Sequence, residues 1–200
     1  MVTDPVTGKR ALKAVMESFW KLRDRAVHDG WSLVLVSGFR SFEGQRLLWN
    51  RYYDQAAKDN RWDERKGVRT VMKYTSVPGL SRHHWGTELD ISEKSLRGQL
   101  LTPEEEISPK VLEFYHWMEM NAPAFGFCRI YRGTSGIISD EPWHWSYWRF
   151  AKIYQHQLES DPNLELAYEP QGVDGGKYIK EHFQEIFQWQ SQSIDADCSR

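Results

Sequence analysis

The sequence lacks the features of several protein classes. No segment approaches the roughly 20 apolar residues that a membrane-spanning helix needs, so we expect no membrane span. No block of lysines and arginines appears, and the formal net charge is only -2, which argues against electrostatic capture of nucleic acid. Internal repeats and low-complexity tracts are missing too, which excludes a solenoid. A small or peptide-like partner fits this charge balance better than a polyanion does.

Cysteine is scarce. Cys128 and Cys198 are the only two, and nothing in their spacing shows that they are bridged. We therefore expect two free thiols, with Cys198 in a frayed tail. The first ten residues lack the apolar core of a secretory signal. The expectation is that the chain either follows a removed export signal or leaves the cell by a route that uses none.

Aromatic residues are abundant, with 10 Trp, 9 Tyr and 9 Phe among 200 residues. A chain of this length and composition can enclose a hydrophobic core and form deep clefts. The composition changes after about Tyr154, where residues 160–176 become rich in Pro, Asp, Glu and Gly. We predict one domain over residues 1–154 and an appendage over residues 155–200, with one helix packed on the core.

Hydrophobic periodicity supplies the predicted elements. Helical spacing predicts helices at residues 11–28, 41–58, 108–121 and 178–190, with Leu47 and Leu112 among their inward-facing residues. Short apolar or alternating runs predict strands at residues 31–36, 88–92, 125–131 and 143–148. Residues 59–79 are polar and partly basic, and we predict a long loop there, either solvated or acting as a flap over a substrate.

Two histidines lie in sequence segments that are typical of metal sites. His83 lies in the run SRHHWGTELD, and His144 lies in the run EPWHW. A catalytic zinc site takes three ligands from His and carboxylate side chains and keeps one position open. His83, Asp90 and His144 meet that requirement. In the strand at 88–92, Asp90 shares a face with Glu88 while Leu89 points to the core. We therefore expect the Asp90 side chain to face a cleft.

Glu141 is the predicted general base. It stands three residues before His144, which in an unbroken strand would place the two side chains on opposite faces. Pro142 disfavours an unbroken strand, so Glu141 can turn back over a metal held by His144. A carboxylate beside metal-activated water is the arrangement for hydrolysis.

These residues resemble a known family. The pattern Ser81-x-His83-x-x-Gly86-x-x-x-Asp90, followed by Glu141-x-x-His144, is similar to the zinc D-alanyl-D-alanine carboxypeptidases of the VanY type, which are LAS-type metallopeptidases. Their pattern is SxHxxGxAxD with a downstream ExxH, commonly EPWH. The upstream segment SGFRSFEGQ, residues 37–45, resembles their SGYRSxxxQ segment. The resemblance covers residues 32–148, and nothing after about residue 150 is accounted for by it.

The resemblance implies a role for each matching residue. The zinc ligands would be His83, Asp90 and His144, and Glu141 would be the base. Arg40 would stabilise the oxyanion or grip a substrate carboxylate, and Ser81 and Gln45 would hold the substrate. Apart from the resemblance, we expect Trp85 to form a wall of the cleft and to contact the substrate. The implied fold is α+β, a small, mainly antiparallel sheet with flanking helices and the zinc site on its open face.

One residue departs from the family pattern. The family usually has a small residue where this chain has Glu88, and by strand parity Glu88 faces the same side as Asp90. It could pair with a neighbouring Arg, or it could alter the pocket and its specificity. His84, next to a proposed ligand, is expected to point elsewhere and to support the site from outside or to lie at the surface.

Three functions remain in competition. The first is a zinc carboxypeptidase that removes a terminal D-alanine from peptidoglycan stem peptides, with D,D or L,D stereochemistry. The second is an endopeptidase that cuts peptidoglycan cross-links, as a lysin or a secreted cell-wall toxin does. The third is a wall-peptide binding module without activity, which the presence of Glu141 disfavours. In each case we expect an extracytoplasmic monomer.

Overall fold

The computed structural model describes residues 1–58, 63–99, 108–133 and 136–194. Its strands are β1 (Val2–Thr3), β2 (Arg10–Ala11), β3 (Leu33–Ser37), β4 (Glu88–Glu93), β5 (Phe127–Arg129) and β6 (His144–Tyr147). Its α-helices are α1 (Lys13–His28), α2 (Phe42–Ala56), α3 (Glu64–Met72), α4 (Pro109–Asn121), α5 (Trp148–Ser160), α6 (Leu164–Ala167), α7 (Gly176–Glu181) and α8 (Phe183–Ser191). Short 3-10 helices lie at Arg82–Trp85, Lys94–Gln99 and Ala122–Phe125.

A four-stranded antiparallel sheet lies at the centre of the molecule. Its strand order is β3-β4-β6-β5, and β1 pairs with β2 in a separate two-stranded sheet. Asp90 on β4 lies directly opposite His144 on β6 and is also registered with Ser37 on β3. The predicted α+β class with a small antiparallel sheet is therefore confirmed.

One face of this sheet is covered by α1 and α4. Leu89 and Ile91 of β4 and Trp145 of β6 are fully or almost fully buried there, in one cluster with residues of both helices. Strand alternation sends Asp90 and His144 to the opposite face. The sheet thus separates the core from the predicted site.

The predicted loop at residues 59–79 is wrong for Glu64–Met72, which form α3. Asp63 caps this helix by accepting a hydrogen bond from the Lys66 amide at 2.8 Å. Val68, Val71 and Met72 are buried at helical spacing. The abundance of charged residues on the outer face concealed this short apolar stripe.

Two predicted inward-facing leucines are exposed. Leu47 is 60% exposed, because α2 turns Gln45 and Trp49 inward, one helical turn apart. Leu112 is 57% exposed, since it lies one position away from the buried stripe of α4.

The predicted single helix at 178–190 is two helices, α7 and α8, that meet at His182.

A second hydrophobic cluster joins α2 and α3 to the C-terminal elements. Trp49 and Val71 pack in it with Ile179 and Phe183. The indole of Trp49 also donates a hydrogen bond to the Asp174 carbonyl at 2.9 Å. Residues on both sides of position 154 therefore share one core cluster, and the predicted division into residues 1–154 and 155–200 stays a prediction.

The expectation of free thiols is wrong for Cys128, which is disulfide-bonded. The prediction for Cys198 lies outside the described residues. Within the described ranges, the helices are all too short or too polar to cross a membrane.

Candidate active site

The structure brings the three predicted ligands together. One ligand atom from each of His83, Asp90 and His144 lies within 4.8 Å of the others. His83 Nε2 is 3.5 Å from Asp90 Oδ2, and His144 Nδ1 is 3.3 Å from Asp90 Oδ1. Two ligand atoms at tetrahedral positions, each about 2.0–2.2 Å from a zinc ion, would be ~3.4 Å apart. The observed spacing matches a single metal site.

Hydrogen bonds outside the cluster fix the orientation of both imidazoles. His83 lies in the 3-10 helix that Gly86 ends with a φ of 74°, and its Nδ1 donates to the Gly38 carbonyl at 2.8 Å. His144 Nε2 donates to Glu88 Oε2 at 2.9 Å. Both acceptors require a proton on these nitrogens. In the neutral form that binds a metal, the rings would therefore have their free lone pairs on His83 Nε2 and His144 Nδ1, the two nitrogens that face Asp90.

Asp90 carries an unsatisfied oxygen. Its Oδ1 is buried and has no hydrogen-bond partner among the described residues, so its approach to His144 Nδ1 is a charge contact rather than an aligned hydrogen bond. Burial raises the pKa of Asp90, but the neighbouring His83 and His144 outweigh burial and hold that pKa far below its usual range. A buried, ionised and partly unpaired carboxylate is suited to a cation.

The two histidines differ in electrostatics. Burial lowers the pKa of His83. Burial also acts to lower the pKa of His144, but the carboxylates of Asp90 and Glu88 overcome it and raise that pKa to about 10. The difference arises because two carboxylates, Asp90 and Glu88, contact His144, whereas Asp90 is the only carboxylate of the described residues that contacts His83.

Glu141 reaches the cluster through a turn. The His144 amide donates to the Glu141 carbonyl at 3.0 Å, which closes the bend at Pro142, and Glu141 Oε2 lies 3.7 Å from His144 Nδ1. Burial, helped by the Asp90 carboxylate, raises the pKa of Glu141 to about 8. A carboxyl group with such a pKa can accept and return a proton near neutral pH.

Arg40 lies beside the same cluster and is held in place. Its Nη2 is 3.8 Å from Asp90 Oδ2 and donates to Ser37 Oγ at 2.9 Å, while its Nη1 donates to Gln45 Oε1 at 2.7 Å. Gln45 in turn donates to Thr75 Oγ1 at 2.8 Å. The predicted contact of Gln45 with substrate needs correction, because this fully buried side chain supports Arg40 instead.

His84 supports the same segment from outside the cluster. Its Nδ1 lies 2.7 Å from the Arg40 carbonyl, and its Nε2 accepts from the Gly79 amide at 3.0 Å. The Arg40 amide also donates to the His83 carbonyl at 3.1 Å. These bonds tie the two sequence motifs together.

A cavity of about 660 Å³ opens over the site. The wall contains the predicted residues Arg40, Ser81, His83, Asp90, Glu141 and His144. It also contains residues that the sequence analysis missed, which include Arg51, Tyr52, Tyr74, Thr75, Ser76 and Tyr131. The polar segment after α3 that was predicted as loop supplies three of these, and helical periodicity does not distinguish a half-buried ring on α2 that faces a cavity from one that faces the core.

Trp85 does not line this cavity, which corrects its predicted role as a cleft wall. Its ring packs against Tyr154, with the centroids 5.9 Å apart, and the Arg82 guanidinium lies over it at 4.6 Å. Glu88 does not line the cavity either and pairs with Arg82 at 3.2 Å. Of the two outcomes expected for Glu88, pairing with a neighbouring Arg is therefore confirmed.

Gly38 is a site at which even one methyl group should disturb this arrangement. A Cβ atom there would lie 2.3 Å from the Arg10 carbonyl oxygen, which is backbone and cannot swing away. We predict that Gly38→Ala destabilises the fold by about 1–3 kcal/mol and, by moving the Gly38 carbonyl from His83, weakens metal binding. Denaturant titration with and without zinc measures both effects, and a variant with unchanged midpoints under both conditions would refute the prediction.

Comparison with known proteins identifies the family. The model of the VanY family, described as D-alanyl-D-alanine carboxypeptidase, matches residues 9–150. The chain belongs to this family. The match includes every predicted site residue, and the resemblance drawn from the motifs is confirmed.

Two relatives were found among curated proteins. An uncharacterized protein of Haemophilus influenzae is 31% identical over 118 residues, which are 56% of this chain and 89% of that protein. The putative carboxypeptidase YodJ of Bacillus subtilis is 27% identical over 162 residues. The aligned region is 78% of this chain but only 53% of YodJ, so the chain spans about half the length of that relative.

Solved structures share the fold. VanYB in complex with D-alanine-D-alanine superposes with a TM-score of 0.59 at 24% identity, covering 78% of this chain and 84% of that one. A VanY mutant from the VanB-type cassette, in complex with Zn(II), gives the same TM-score and identity and is covered to 83%. The LdcB LD-carboxypeptidase superposes with a TM-score of 0.52 at 26% identity, covering 74% of this chain and 64% of that one.

Proposed function

We propose that this chain is a zinc-dependent carboxypeptidase that removes a terminal D-alanine from peptidoglycan stem peptides. The observation that carries the proposal is the convergence of His83, Asp90 and His144 with Glu141 and Arg40 on one cavity. The family is one of D-alanyl-D-alanine carboxypeptidases. The presence of Glu141 in the cavity wall also disfavours the wall-peptide binding module, which has no need for a base.

The donor set fits zinc. Two imidazole nitrogens and one carboxylate, with an open side facing a cavity, are the ligand types of catalytic zinc sites. The buried Asp90 Oδ1, which lacks a hydrogen-bond partner among the described residues, would gain one favourable interaction from a cation. A zinc ion held there would supply a Lewis acid that acidifies water and polarises the scissile carbonyl. The solved VanY mutant, whose fold is similar to that of this chain, is in complex with Zn(II).

The chain's own residues would carry the proton and the charge. Glu141 takes the proton of the attacking water and later delivers it to the leaving amine, which its raised pKa favours. Arg40, fixed by Ser37 and Gln45, offsets charge on the tetrahedral oxyanion or binds the terminal carboxylate. We propose that Ser81, in the cavity wall beside His83, holds the substrate.

The substrate class follows from the family and its relatives. VanYB binds D-alanine-D-alanine, and LdcB is an LD-carboxypeptidase that recognises peptidoglycan. For this chain we propose a stem peptide with a free terminal D-alanine, cut from the carboxyl end. We further propose an extracytoplasmic location, which peptidoglycan as substrate supports, and the disulfide at Cys128 agrees with an oxidising compartment. We also propose that the protein acts as a monomer.

Muropeptides of defined length test the function. The zinc-loaded protein is incubated with purified tetrapeptide, pentapeptide and cross-linked dimer, and the products are weighed by mass spectrometry. Loss of one alanine from a monomeric stem is the expected result, and the stem that is shortened separates D,D from L,D stereochemistry. Conversion of dimer to monomers would establish the endopeptidase instead, and no change in any substrate would refute a peptidase.

Three further residues of the cavity wall, Arg51, Tyr52 and Tyr74, lead us to predict that the protein binds long muropeptides better than short ones. The rings of Tyr52 and Tyr74 stack with centroids 6.3 Å apart, and the Arg51 guanidinium lies 5.4 Å from the centre of the Tyr52 ring. Arg51 has no carboxylate partner within the described ranges, whereas stem peptides carry carboxylates. We predict that Arg51→Ala raises KM for a muropeptide about fivefold, equivalent to ~1 kcal/mol.

The control for this prediction is Arg149→Ala, which removes an exposed cation that does not line the cavity. Its KM should stay at the wild-type value. A short N-acylated D-alanyl-D-alanine lacks the distal residues of a stem peptide. For this substrate we expect both variants to have the KM of the wild type. An equal rise in KM for the short and the long substrate would contradict the assignment of Arg51 to the distal part of the peptide.

A further inference from the structure

Glu88 is a fully buried carboxylate next to the proposed metal site. On β4 it is registered opposite Ser146 of β6, which makes His144 its diagonal neighbour on the same sheet face. Its side chain has no exposed surface and does not line the cavity. Glu88 therefore cannot touch a substrate in the cavity, and any influence on the reaction must pass through its neighbours.

Each oxygen of Glu88 has a separate task. Oε2 accepts the Nε2 proton of His144 at 2.9 Å. Oε1 accepts from the Thr87 hydroxyl at 2.9 Å, from the Ser146 hydroxyl at 2.9 Å and from Arg82 Nη2 at 3.2 Å. The three donors to Oε1 fix the carboxylate plane, and that leaves Oε2 aimed at the imidazole.

Arg82 is the cationic partner of Glu88 in a buried ion pair. Its side chain is 2% exposed, and its guanidinium also donates to Ser146 Oγ at 3.0 Å and to Gln155 Oε1 at 2.7 Å. Burying such an ion pair costs several kcal/mol per ion in desolvation, and apolar residues of equal volume are often as stable. A contribution to stability therefore explains the pair poorly. A role as a fixed negative acceptor for the His144 Nε2 proton explains it better.

We propose that Glu88 is a positioning residue for the metal site: it holds the proton on His144 Nε2 and the ring plane in place, so that Nδ1 faces the metal with its lone pair free. The proposal rests on zinc binding by His83, Asp90 and His144. Carboxylate partners of ligating histidines typically contribute 10–100-fold to metal affinity.

Zinc affinity is the primary measurement, made by competition with a chromogenic chelator. Glu88→Ala and Glu88→Gln should each bind zinc at least tenfold more weakly than the wild type, with the glutamine variant preserving the buried volume. Circular dichroism establishes which variants are folded. A folded variant of either kind whose zinc Kd lies within twofold of the wild-type value would overturn the proposal.

Ser146→Ala is the matched control. It removes the hydroxyl that donates to Glu88 Oε1 and accepts from Arg82 Nη2. Thr87 and Arg82 still donate to Oε1, and the contact between Glu88 Oε2 and His144 Nε2 is intact. Its zinc affinity should stay within about threefold of the wild type. If Ser146→Ala weakens zinc binding as much as Glu88→Ala does, the effect is a general loss of packing and the specific role of Glu88 is refuted.

The wild-type protein provides a test that needs no variant. Nitrogen-15 NMR of the zinc-loaded protein should show a slowly exchanging proton on His144 Nε2 and the metal on Nδ1. The reverse arrangement would overturn the proposal. Failure of the wild type to bind zinc at all would instead refute the proposed function, so the two failures are distinguishable.

Discussion

Replacing Glu141 with glutamine is expected to lower kcat for muropeptide cleavage by about 10²–10⁴-fold, the usual contribution of a positioned general base. The amide has the same shape but cannot take a proton from water. Because burial already raises the pKa of this carboxyl to about 8, losing its charge should cost little stability. The measurement is kcat by quantitative mass spectrometry, with zinc content and melting temperature recorded in parallel.

The neighbouring carboxylate is the control for Glu141. Asp140 pairs with Arg129 rather than with the cluster, so Asp140→Asn should keep kcat within a few-fold of the wild type. A Glu141→Gln protein that binds zinc normally and retains more than a tenth of the wild-type kcat would show that another group is the base. Equal losses in both variants would point to general damage of the loop.

Removal of the metal is expected to have the second large effect. Chelation should abolish activity, and added zinc should restore it, since the Lewis acid comes from the ion. Zinc at 100 times its Kd should also stabilise the fold by about 2.7 kcal/mol, which for a chain of this size raises the melting temperature by roughly 5–10 °C. The buried Asp90 Oδ1 has no hydrogen-bond partner among the described residues, and a bound cation would supply the interaction that this oxygen lacks.

Two histidine variants make this result specific. His83→Ala removes a proposed ligand, and the zinc-dependent rise in melting temperature should disappear. His156→Ala removes an exposed histidine of α5 and should leave the rise unchanged. A zinc-dependent rise that survives in His83→Ala would place the ion elsewhere on the protein.

The reactive centre could be predicted from the sequence because short motifs contain its residues. His83 and Asp90 stand seven positions apart across one turn, and Glu141 and His144 stand three apart across a proline bend. Local geometry at each motif then decides which way the side chains point. The pairing of β4 with β6, which places Asp90 opposite His144, joins segments more than 50 residues apart and was not predicted from the spacing.

The surroundings of the centre were harder to predict. The α3 helix buries Val68 and Val71 within a sequence dominated by charge, so polarity suggested a loop. The roles of Gln45 and Trp85 depend on partners more than 25 residues away in sequence, such as Thr75 for Gln45 and Tyr154 for Trp85. Strand parity correctly placed Glu88 beside the site, but only the three-dimensional contacts reveal that it binds His144.

Zinc at the centre of this site is tested most directly by anomalous diffraction from crystals of the zinc-loaded protein, measured above and below the zinc absorption edge. We expect one peak at about 2.0–2.2 Å from His83 Nε2, His144 Nδ1 and a carboxylate oxygen of Asp90. A peak bound to other residues, or none in crystals of a protein that binds zinc in solution, would contradict the assignment of these three ligands.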